Sequence, residues 1–336
     1  MAGDLNITDK VIASGGANFD YTAAFSDIAH LLADADIAAV NFEGSLLGAP
    51  YGSETASAPQ NLMKALSDAG VDLVQLANSF SISAGIAGLN STIDGVREAG
   101  MVPLGVCGSN AEFSQNGGYT IMQVKGIRIA FVAFTKGMDG MALPAGSENC
   151  VNVLYTDYDS TYQQVDTEKI TAILRRVQNE NPDLTIALLH WGSEFNNTIS
   201  TSQTRIRDLM FKNGVDAIIG THSHYVQKME LDPETGKFTA YSLGDMFGDA
   251  SQAGSEYSVL LDLEITKDTR ANTAKITGYS YTPIFTVAQN DAPLRVVRIE
   301  QAMSAYEKDF MQKVSESTYD AMKYALQRIQ ARTAGE

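Results

Sequence analysis

The sequence predicts a layered α/β fold with much parallel strand pairing, followed by a helical C-terminal segment. Short runs of Val, Ile, Leu and Ala that end in Gly, Asn or Ser alternate with amphipathic segments as far as His224. This alternation is typical of buried parallel strands connected by helices. Beyond His224 the pattern changes to hairpins, and the last forty or so residues show helical amphipathicity.

Six runs have the composition and length of buried strands. Each is bounded by residues that favour turns, and rules of connection place neighbouring runs side by side in parallel. The runs are DIAAVNFEG, GVDLVQLANS, GMVPLGVCG, GIRIAFVAFT, DLTIALLHWG and GVDAIIGTHSH.

Helical segments lie between these runs, and three of them end at Gly70, Gly100 and Gly214. Glycine at that place can take the left-handed conformation that ends a helix and leads into the next strand. The segments are YTAAFSDIAHLLADA, APQNLMKALSDAG, STIDGVREAG, DTEKITAILRRVQNE and QTRIRDLMFKNG.

The second half of the sequence has the pattern of a hairpin over residues 228–247, with Pro233 and Gly236 in its turn. Two further strands, predicted to be antiparallel, follow this hairpin. We therefore predict an α/β/β/α sandwich of two packed sheets flanked by helices, in one domain that covers residues 1–290. Residues 291–336 form a helical appendage in this prediction. The chain has no Pro, Gly or Ser-rich linker and no repeat of fixed period.

Charge and composition exclude several classes of function. The chain has 336 residues, of which 44% are hydrophobic and 19% charged, so it is an ordinary globular chain. Its formal net charge of −16 argues against nucleic acid or an anionic membrane as the main partner. It has no apolar run long enough to span a bilayer. Cys107 and Cys150 form no metal-binding pattern and are compatible with one disulfide bridge or with two free thiols.

Polar residues follow the predicted strands at the edge where ligands bind in open α/β sheets. Because the carboxyl ends of parallel strands meet at one edge, these side chains are expected to lie together. Carboxylates with imidazoles suit one or two divalent transition metals, Zn, Mn or Fe. The residues are Asp4, Glu43, Asn78, His190, His222 and His224.

Each of these residues also has a structural interpretation. His30 lies inside an amphipathic helix and is read as structural. A single histidine such as His190 is often structural too, Glu43 suits a helix cap, and Asp4 suits a turn. The HxH pair of His222 and His224 has no comparable packing role, and it is the strongest indication of a metal site.

Six segments resemble the bacterial CapA family of capsule and poly-γ-glutamate synthesis, and they run in the family's order. That family has a metallophosphatase-like (calcineurin-like phosphoesterase) fold, so the resemblance implies this fold and a metal centre. The segments are GDLN at 3–6, VNFEGSL at 40–46, LANSFSISAGIAGLNSTIDGVREAG at 76–100, LHWGSEF at 189–195, GVDAIIGTHSHYVQ at 214–227 and YSLGDMF at 241–247.

By this resemblance, Glu43 would bridge two ions, Asp4 and His224 would hold one ion, and His190 and His222 the other. Family members are typically exported and anchored at the envelope, which implies an extracytoplasmic, envelope-associated protein. The family also has a full strand before its GD motif, so the opening MAGD is read as a truncated or processed start.

The chain departs from the family at four positions. Where the family reads Ala-Asn-Asn-His, this chain has Ala77, Asn78, Ser79 and Phe80, so a ligand amide and an acid histidine are replaced. Phenylalanine cannot donate a proton or a hydrogen bond to a reacting phosphate. Further replacements are Ser83 for an aspartate and Asp245 for the asparagine of SLGN. Asp245 has two interpretations, a turn residue without metal contact or a carboxylate that approaches the second ion.

Two functions are compatible with this sequence. The first is a metal-binding envelope protein of capsule or poly-γ-glutamate synthesis or anchoring, with a depleted catalytic site, whose partner is an anionic envelope polymer or its synthesis machinery. The second is an active metal-dependent hydrolase of phosphoesters or of γ-linked amides. Ser79 and Phe80 favour the first, and no catalytic residue is assigned.

Overall fold

The described part of the chain is built from fourteen strands and ten α-helices, in a computed structural model that covers residues 1–288, 293–310 and 314–335. The strands are β1 Asp4–Asn6, β2 Ala39–Glu43, β3 Leu73–Gln75, β4 Val102–Leu104, β5 Tyr119–Val124, β6 Ile127–Thr135, β7 Leu184–His190, β8 Ala217–Thr221, β9 Met229–Leu231, β10 Phe238–Ala240, β11 Asp245–Phe247, β12 Tyr257–Asp268, β13 Thr273–Val287 and β14 Arg295–Arg298. The helices are α1 Asp9–Ser14, α2 Thr22–Phe25, α3 Ala29–Asp34, α4 Gln60–Asp68, α5 Gly85–Glu98, α6 Asn110–Asn116, α7 Thr167–Asn179, α8 Thr201–Lys212, α9 Ile299–Glu307 and α10 Glu316–Ala334.

These strands form three sheets. The first has the order β11-β1-β2-β3-β4 and is parallel throughout. The second has the order β5-β6-β7-β8-β10-β9, with a parallel centre and an antiparallel strand at each edge. The third is the antiparallel sheet β12-β13-β14. The six predicted strand runs are β2, β3, β4, β6, β7 and β8, and the predicted layered α/β class is confirmed.

The main core lies between the first two sheets. It contains Phe42 and Val74 from the first sheet together with Phe131, Ile186 and Ile219 from the second, all nearly inaccessible to solvent. A second cluster covers the opposite face of the second sheet, where α7 and α8 pack on it. The sheets are therefore packed face to face with helices outside, which holds the carboxyl ends of β2, β7 and β8 near one another.

The glycine signals in the sequence predict three helix ends correctly. Gly70, Gly100 and Gly214 have φ values of 100°, 83° and 89° and end their helices as predicted. The segment predicted as one helix over residues 21–35 is instead divided into α2 and α3. The division occurs because the amide of Ile28 bonds to the carbonyl of Phe25 at 3.0 Å, a three-residue spacing that tightens the turn.

The C-terminal segment forms α9 and α10 as predicted, and both contribute to the main core through residues such as Ile299, Met322 and Ile329. The predicted domain boundary at residue 290 falls within 289–292, outside the described residues. Among the helices in the described ranges, none has the length and apolarity needed to cross a membrane. Cys107 and Cys150 are buried free thiols.

Gly220 on β8 is required by close backbone packing. A Cβ atom built there would lie 1.9 Å from the carbonyl oxygen of Tyr241 and 2.5 Å from Nε1 of Trp191. We expect Gly220→Ala to lower the free energy of unfolding by about 1–3 kcal/mol or more, the usual cost of overpacking. Gly278→Ala is the control, because its Cβ would meet only the flexible Glu264 side chain at 3.1 Å. Equal chemical denaturation midpoints for the two variants would contradict this account of β8.

Candidate metal centre

Five predicted ligands meet at one end of the two packed sheets. Glu43 is the last residue of β2, His190 is the last of β7, and His222 and His224 follow β8 directly. Asp4 instead begins β1, where it lies opposite Asn41 of β2 and Asp245 of β11. All five ligands are buried, with Asp4 and His190 fully inaccessible to solvent. The structure therefore brings the whole predicted set together.

The donor atoms fall into two groups, each able to surround a metal ion. One group is Asp4, Glu43 and His190, and the other is Asp4, His224 and Asp245, with ligand atoms within 4.8 Å of one another in each. The carboxylate common to both groups is Asp4. The resemblance implies that Glu43 is shared, and this stays a prediction beside the alternative of a shared Asp4. The structure also places Asp245 in the group of His224, away from the second-ion position considered for it.

Asn41 connects the first group and was not singled out from the sequence. Its Nδ2 atom donates to Asp4 Oδ1 at 2.6 Å and to Glu43 Oε1 at 3.0 Å, and lies 3.3 Å from His190 Nδ1. Asn78 in turn donates to Asn41 Oδ1 at 3.1 Å. Asn78 was predicted to lie with the ligands at the edge of the sheet. In the structure its side chain contacts Asn41 and so orients the amide that donates to Asp4 and Glu43.

His190 faces a different partner with each ring nitrogen. Nδ1 lies 3.1 Å from Thr221 Oγ1 and 3.5 Å from Glu43 Oε1. Nε2 lies 3.1 Å from Ser79 Oγ. Ser79 thus stands beside His190 where the family has its second asparagine, and it offers a shorter hydroxyl ligand instead of an amide oxygen.

The HxH loop is held to the first sheet by its backbone. The amide of His222 donates to Asp4 Oδ2 at 3.0 Å, and the His222 ring lies 4.4 Å from the His190 ring between centroids. Nδ1 of His222 is buried without a hydrogen-bond partner. A buried acceptor or donor without a partner is costly, so this nitrogen is available for a ligand that the protein itself does not supply.

His222 and His224 have positive φ values of 87° and 58°. Such backbone conformations cost about 1–3 kcal/mol for a residue with a side chain and are concentrated at functional sites. In this loop the His224 imidazole faces Asp245 and Asp4, and the His222 imidazole lies beside the His190 ring. The sequence Thr-His-Ser-His therefore carries strain that its packing must offset.

Electrostatics separates the three imidazoles. Burial, together with the neighbouring imidazoles, lowers the pKa of His190 well below its usual value. Burial, followed by Lys136, does the same to the pKa of His222. Burial alone would lower the pKa of His224, but Asp245, Glu43 and Asp4 outweigh it and raise that pKa to about 10. Thus the imidazoles of His190 and His222 are neutral at pH 7, whereas His224 would have to release a proton to bind a metal.

The carboxylates are destabilised as anions. Burial raises the pKa of Asp4, and burial with repulsion from Asp4 raises the pKa of Glu43 well above its usual range. Burial raises the pKa of Asp245 to about 6, although the facing His224 opposes the shift. Three acids concentrated in a buried space favour the arrival of positive charge. This charge requirement, the unpaired His222 nitrogen and the mixed oxygen and nitrogen donors all fit divalent transition metals.

A cleft of about 220 Å³ opens beside the second donor group. Phe80 lines it next to Glu43, His224 and Asp245, so the wall that the family provides with histidine is apolar here. Phe195 also lines it, with its ring stacked 5.0 Å from the His224 ring and 43% of its surface exposed. Nothing in the Phe80 side chain can protonate a leaving group.

A family model described as "Bacterial capsule synthesis protein PGA_cap" matches residues 1–250. The chain belongs to this family. The residues that match the PGA_cap model include every member of both donor groups, from Asp4 to Asp245. They exclude β12 to β14 and both C-terminal helices.

Two curated relatives carry names from capsule synthesis. The capsule biosynthesis protein CapA of Bacillus anthracis is 26% identical over 209 residues, which are 62% of this chain and 48% of that protein. The PGA biosynthesis protein CapA of Bacillus subtilis strain 168 is 23% identical over 239 residues, or 71% of this chain and 57% of that protein. The chain thus spans about half the length of these relatives.

Similar solved structures include phosphoesterases and nucleotidases. The calcineurin-like phosphoesterase YfkN from Bacillus subtilis has a TM-score of 0.47 and 15% identity, and the alignment covers 96% of this chain and 95% of the YfkN chain. The 5′-nucleotidase from Candida albicans SC5314 has a TM-score of 0.47 and 10% identity, and the alignment covers 98% of this chain and 57% of the nucleotidase chain.

Proposed function

We propose that this chain is a metal-binding protein of capsule polymer synthesis that holds an anionic group of the polymer, or of its precursor, at one or two divalent ions. Its capacity for phosphoester hydrolysis is weak in this proposal. The observation that carries it is the pair of buried donor groups that share Asp4. Membership in the PGA_cap family supplies the biological setting.

Each ligand has a defined part in this proposal. Asp4, Glu43 and His190 would hold one ion and Asp4, His224 and Asp245 the other. His222 belongs to neither group and would add a ligand through its unpaired Nδ1 beside the His190 ring. Bound ions would supply Lewis-acid polarisation of a phosphoryl or carboxyl oxygen. Asn41 orients the first set by donating to Asp4 and Glu43, the kind of outer contact that fixes metal ligands.

The charge of the cleft decides what can bind. Glu43, Glu194, Asp245 and Asp249 line it, and its described lining includes neither lysine nor arginine. A polyanion such as poly-γ-glutamate would be repelled by these carboxylates unless bound cations offset them. We therefore infer that contact with an anionic envelope polymer depends on metal, and that the chain acts outside the cytoplasm, at the envelope where such a polymer is assembled or anchored.

An active metal-dependent hydrolase is the second candidate. The retained histidines and carboxylates of the two donor groups favour it, because they would hold the ions that such hydrolysis requires. The substrates in this case are a phosphoester or a γ-linked amide. Phe80 opposes this candidate, since the apolar wall leaves proton donation to solvent.

Metal content tests the proposal directly. The purified chain, incubated with Zn²⁺, Mn²⁺ or Fe²⁺ and dialysed, is expected to retain one or two ions per molecule by elemental analysis. His222→Ala combined with His224→Ala should lose most of this metal, because the pair supplies the loop's nitrogen donors.

His30→Ala is the matched control, since His30 is exposed on α3 and lies outside both donor groups. It should retain the metal content of the unmodified chain. If the unmodified chain retains none of the three metals, the proposed function is wrong. If the double variant keeps full occupancy, the ligand assignment is wrong.

A further inference from the structure

Arg332 on α10 is a buried cation packed between two aromatic rings. Its guanidinium carbon lies 4.7 Å from the ring centroid of Tyr225 and 5.4 Å from that of Tyr257. Both distances lie within the roughly 6 Å over which a cation is attracted to an aromatic face. Only 8% of the Arg332 surface is exposed, although arginine is rarely buried without an acidic partner.

Within the ranges 1–288, 293–310 and 314–335, no carboxylate forms an ion pair with Arg332. Its Nε and Nη1 atoms are buried without hydrogen-bond partners. Two aromatic ring faces lie within cation–π distance of this guanidinium. Arg332 therefore packs on aromatic rings instead of pairing with an acid. The next residue, Thr333, attaches α10 to β13, because its Oγ1 lies 3.2 Å from Tyr281 Oη.

Tyr225 directly follows His224, a member of the second donor group. Its hydroxyl donates to the carbonyl of Ala253 at 2.9 Å, and its backbone is held by Ser223 Oγ, which donates to the Tyr225 carbonyl at 2.8 Å. The ring of Tyr225 thus ends a loop whose two histidines have strained, positive φ values. Arg332 packs on this ring, one residue away from the second of the two histidines.

Tyr257 is the second aromatic contact of Arg332, and its backbone lies close to Gly244, the residue before Asp245. A Cβ atom on Gly244 would lie 3.3 Å from both the carbonyl oxygen of Tyr257 and the amide nitrogen of Val226. The turn before Asp245 therefore lies between the backbone of Tyr257 and that of Val226, the residue after Tyr225. One guanidinium therefore contacts Tyr225, the residue after His224, and Tyr257, whose backbone lies near the turn before Asp245.

We propose that Arg332 is a positioning residue for the metal ion held by Asp4, His224 and Asp245. It acts by packing Tyr225 and Tyr257 from α10, a helix that lies outside the family-matched residues 1–250. This inference rests on the proposed function. Only the second donor group contains a residue adjacent to Tyr225, so the effect is expected at the ion of that group.

The test is isothermal titration of the metal-free, full-length chain with Mn²⁺ or Zn²⁺. Arg332→Met keeps much of the side-chain volume and removes the cation. It is expected to weaken one binding event about tenfold, the lower end of the range for lost outer-shell partners, and to leave the other event unchanged. Arg332→Lys retains a cation and should restore part of the affinity.

Lys323→Met is the control, because Lys323 is an exposed cation on the same helix. It should bind both ions as the unmodified chain does. Equal weakening of both events in Arg332→Met, or reduced thermal stability with unchanged affinities, would assign Arg332 a purely structural role and overturn the proposal.

Hydrogen exchange separates this proposal from the proposed function. In the metal-free chain, amides of residues 222–226 should exchange several-fold faster in Arg332→Met than in Lys323→Met, because the loop has lost its outer contact. If the unmodified chain binds no metal, the proposed function is wrong, and this exchange difference still decides whether Arg332 holds the loop. Equal exchange in the two variants would refute the positioning role.

Discussion

Asp4→Asn is expected to remove both metal ions, whereas Glu43→Gln and Asp245→Asn should each remove only one. The reason is that Asp4 belongs to both donor groups, while Glu43 and Asp245 each belong to one. Loss of a direct anionic ligand should reduce affinity beyond the ~10- to 100-fold caused by loss of an outer-shell partner. Elemental analysis after dialysis measures the number of ions retained by each variant.

The same three variants test which carboxylate is shared. If Glu43 bridges the ions, as the family resemblance implies, Glu43→Gln would lose both and Asp4→Asn would keep one. Asp94→Asn is a suitable control, because its side chain is 69% exposed on α5.

Loss of fold is distinguished from loss of metal by the stability of the metal-free protein. Burial raises the pKa of Asp4, so its ionised form destabilises the native state at neutral pH. A raised acid pKa means that the native state binds more protons than the unfolded chain. The free energy of unfolding therefore falls as the pH rises from the pKa of Asp4 in the unfolded chain through its raised pKa in the native state. Asp4→Asn should therefore unfold at the same or a higher temperature than the unmodified chain when both lack metal. A large drop in that temperature would show that the variant fails to fold.

The ends of the central strands could be predicted because their signals are local. Glu43, His190 and the HxH pair each follow an apolar run directly, and parallel pairing brings such ends to one edge. Their convergence needed only the alternation of strands and helices, which the sequence shows clearly.

The remaining parts of the site depend on pairing between distant segments. Asp245 reaches Asp4 because β11 joins the first sheet beside β1, and no local pattern predicts that register. Asn41 is hidden within an apolar run, although the two-residue period of a strand places it on the same face as Glu43. Arg332 is more than a hundred residues from the loop it contacts, and its helical pattern indicates only amphipathicity.

Ser79 and Phe80 lead to the second large expected effect. Ser79 contacts His190 as a hydroxyl, and Phe80 presents an apolar ring beside Glu43 and His224 in the cleft. The unmodified chain should therefore hydrolyse a simple phosphomonoester only feebly. Ser79→Asn with Phe80→His adds an amide oxygen near the first donor group and a proton donor at the cleft wall. Since general acid catalysis contributes about 10²- to 10⁴-fold, the rate should rise within that range.

Three comparisons identify the origin of such a gain in the metal-loaded chain, with p-nitrophenyl phosphate as substrate. Ser79→Asn alone should raise metal retention with little gain in rate, because it restores a ligand without an acid. Phe80→Leu should give no gain, since it opens the cleft without adding a proton donor. The gain should also disappear when His222→Ala and His224→Ala are added, because the new histidine acts on a phosphate that bound metal must hold. Robust turnover by the unmodified chain would instead show that Phe80 is no obstacle to hydrolysis and would favour the active hydrolase.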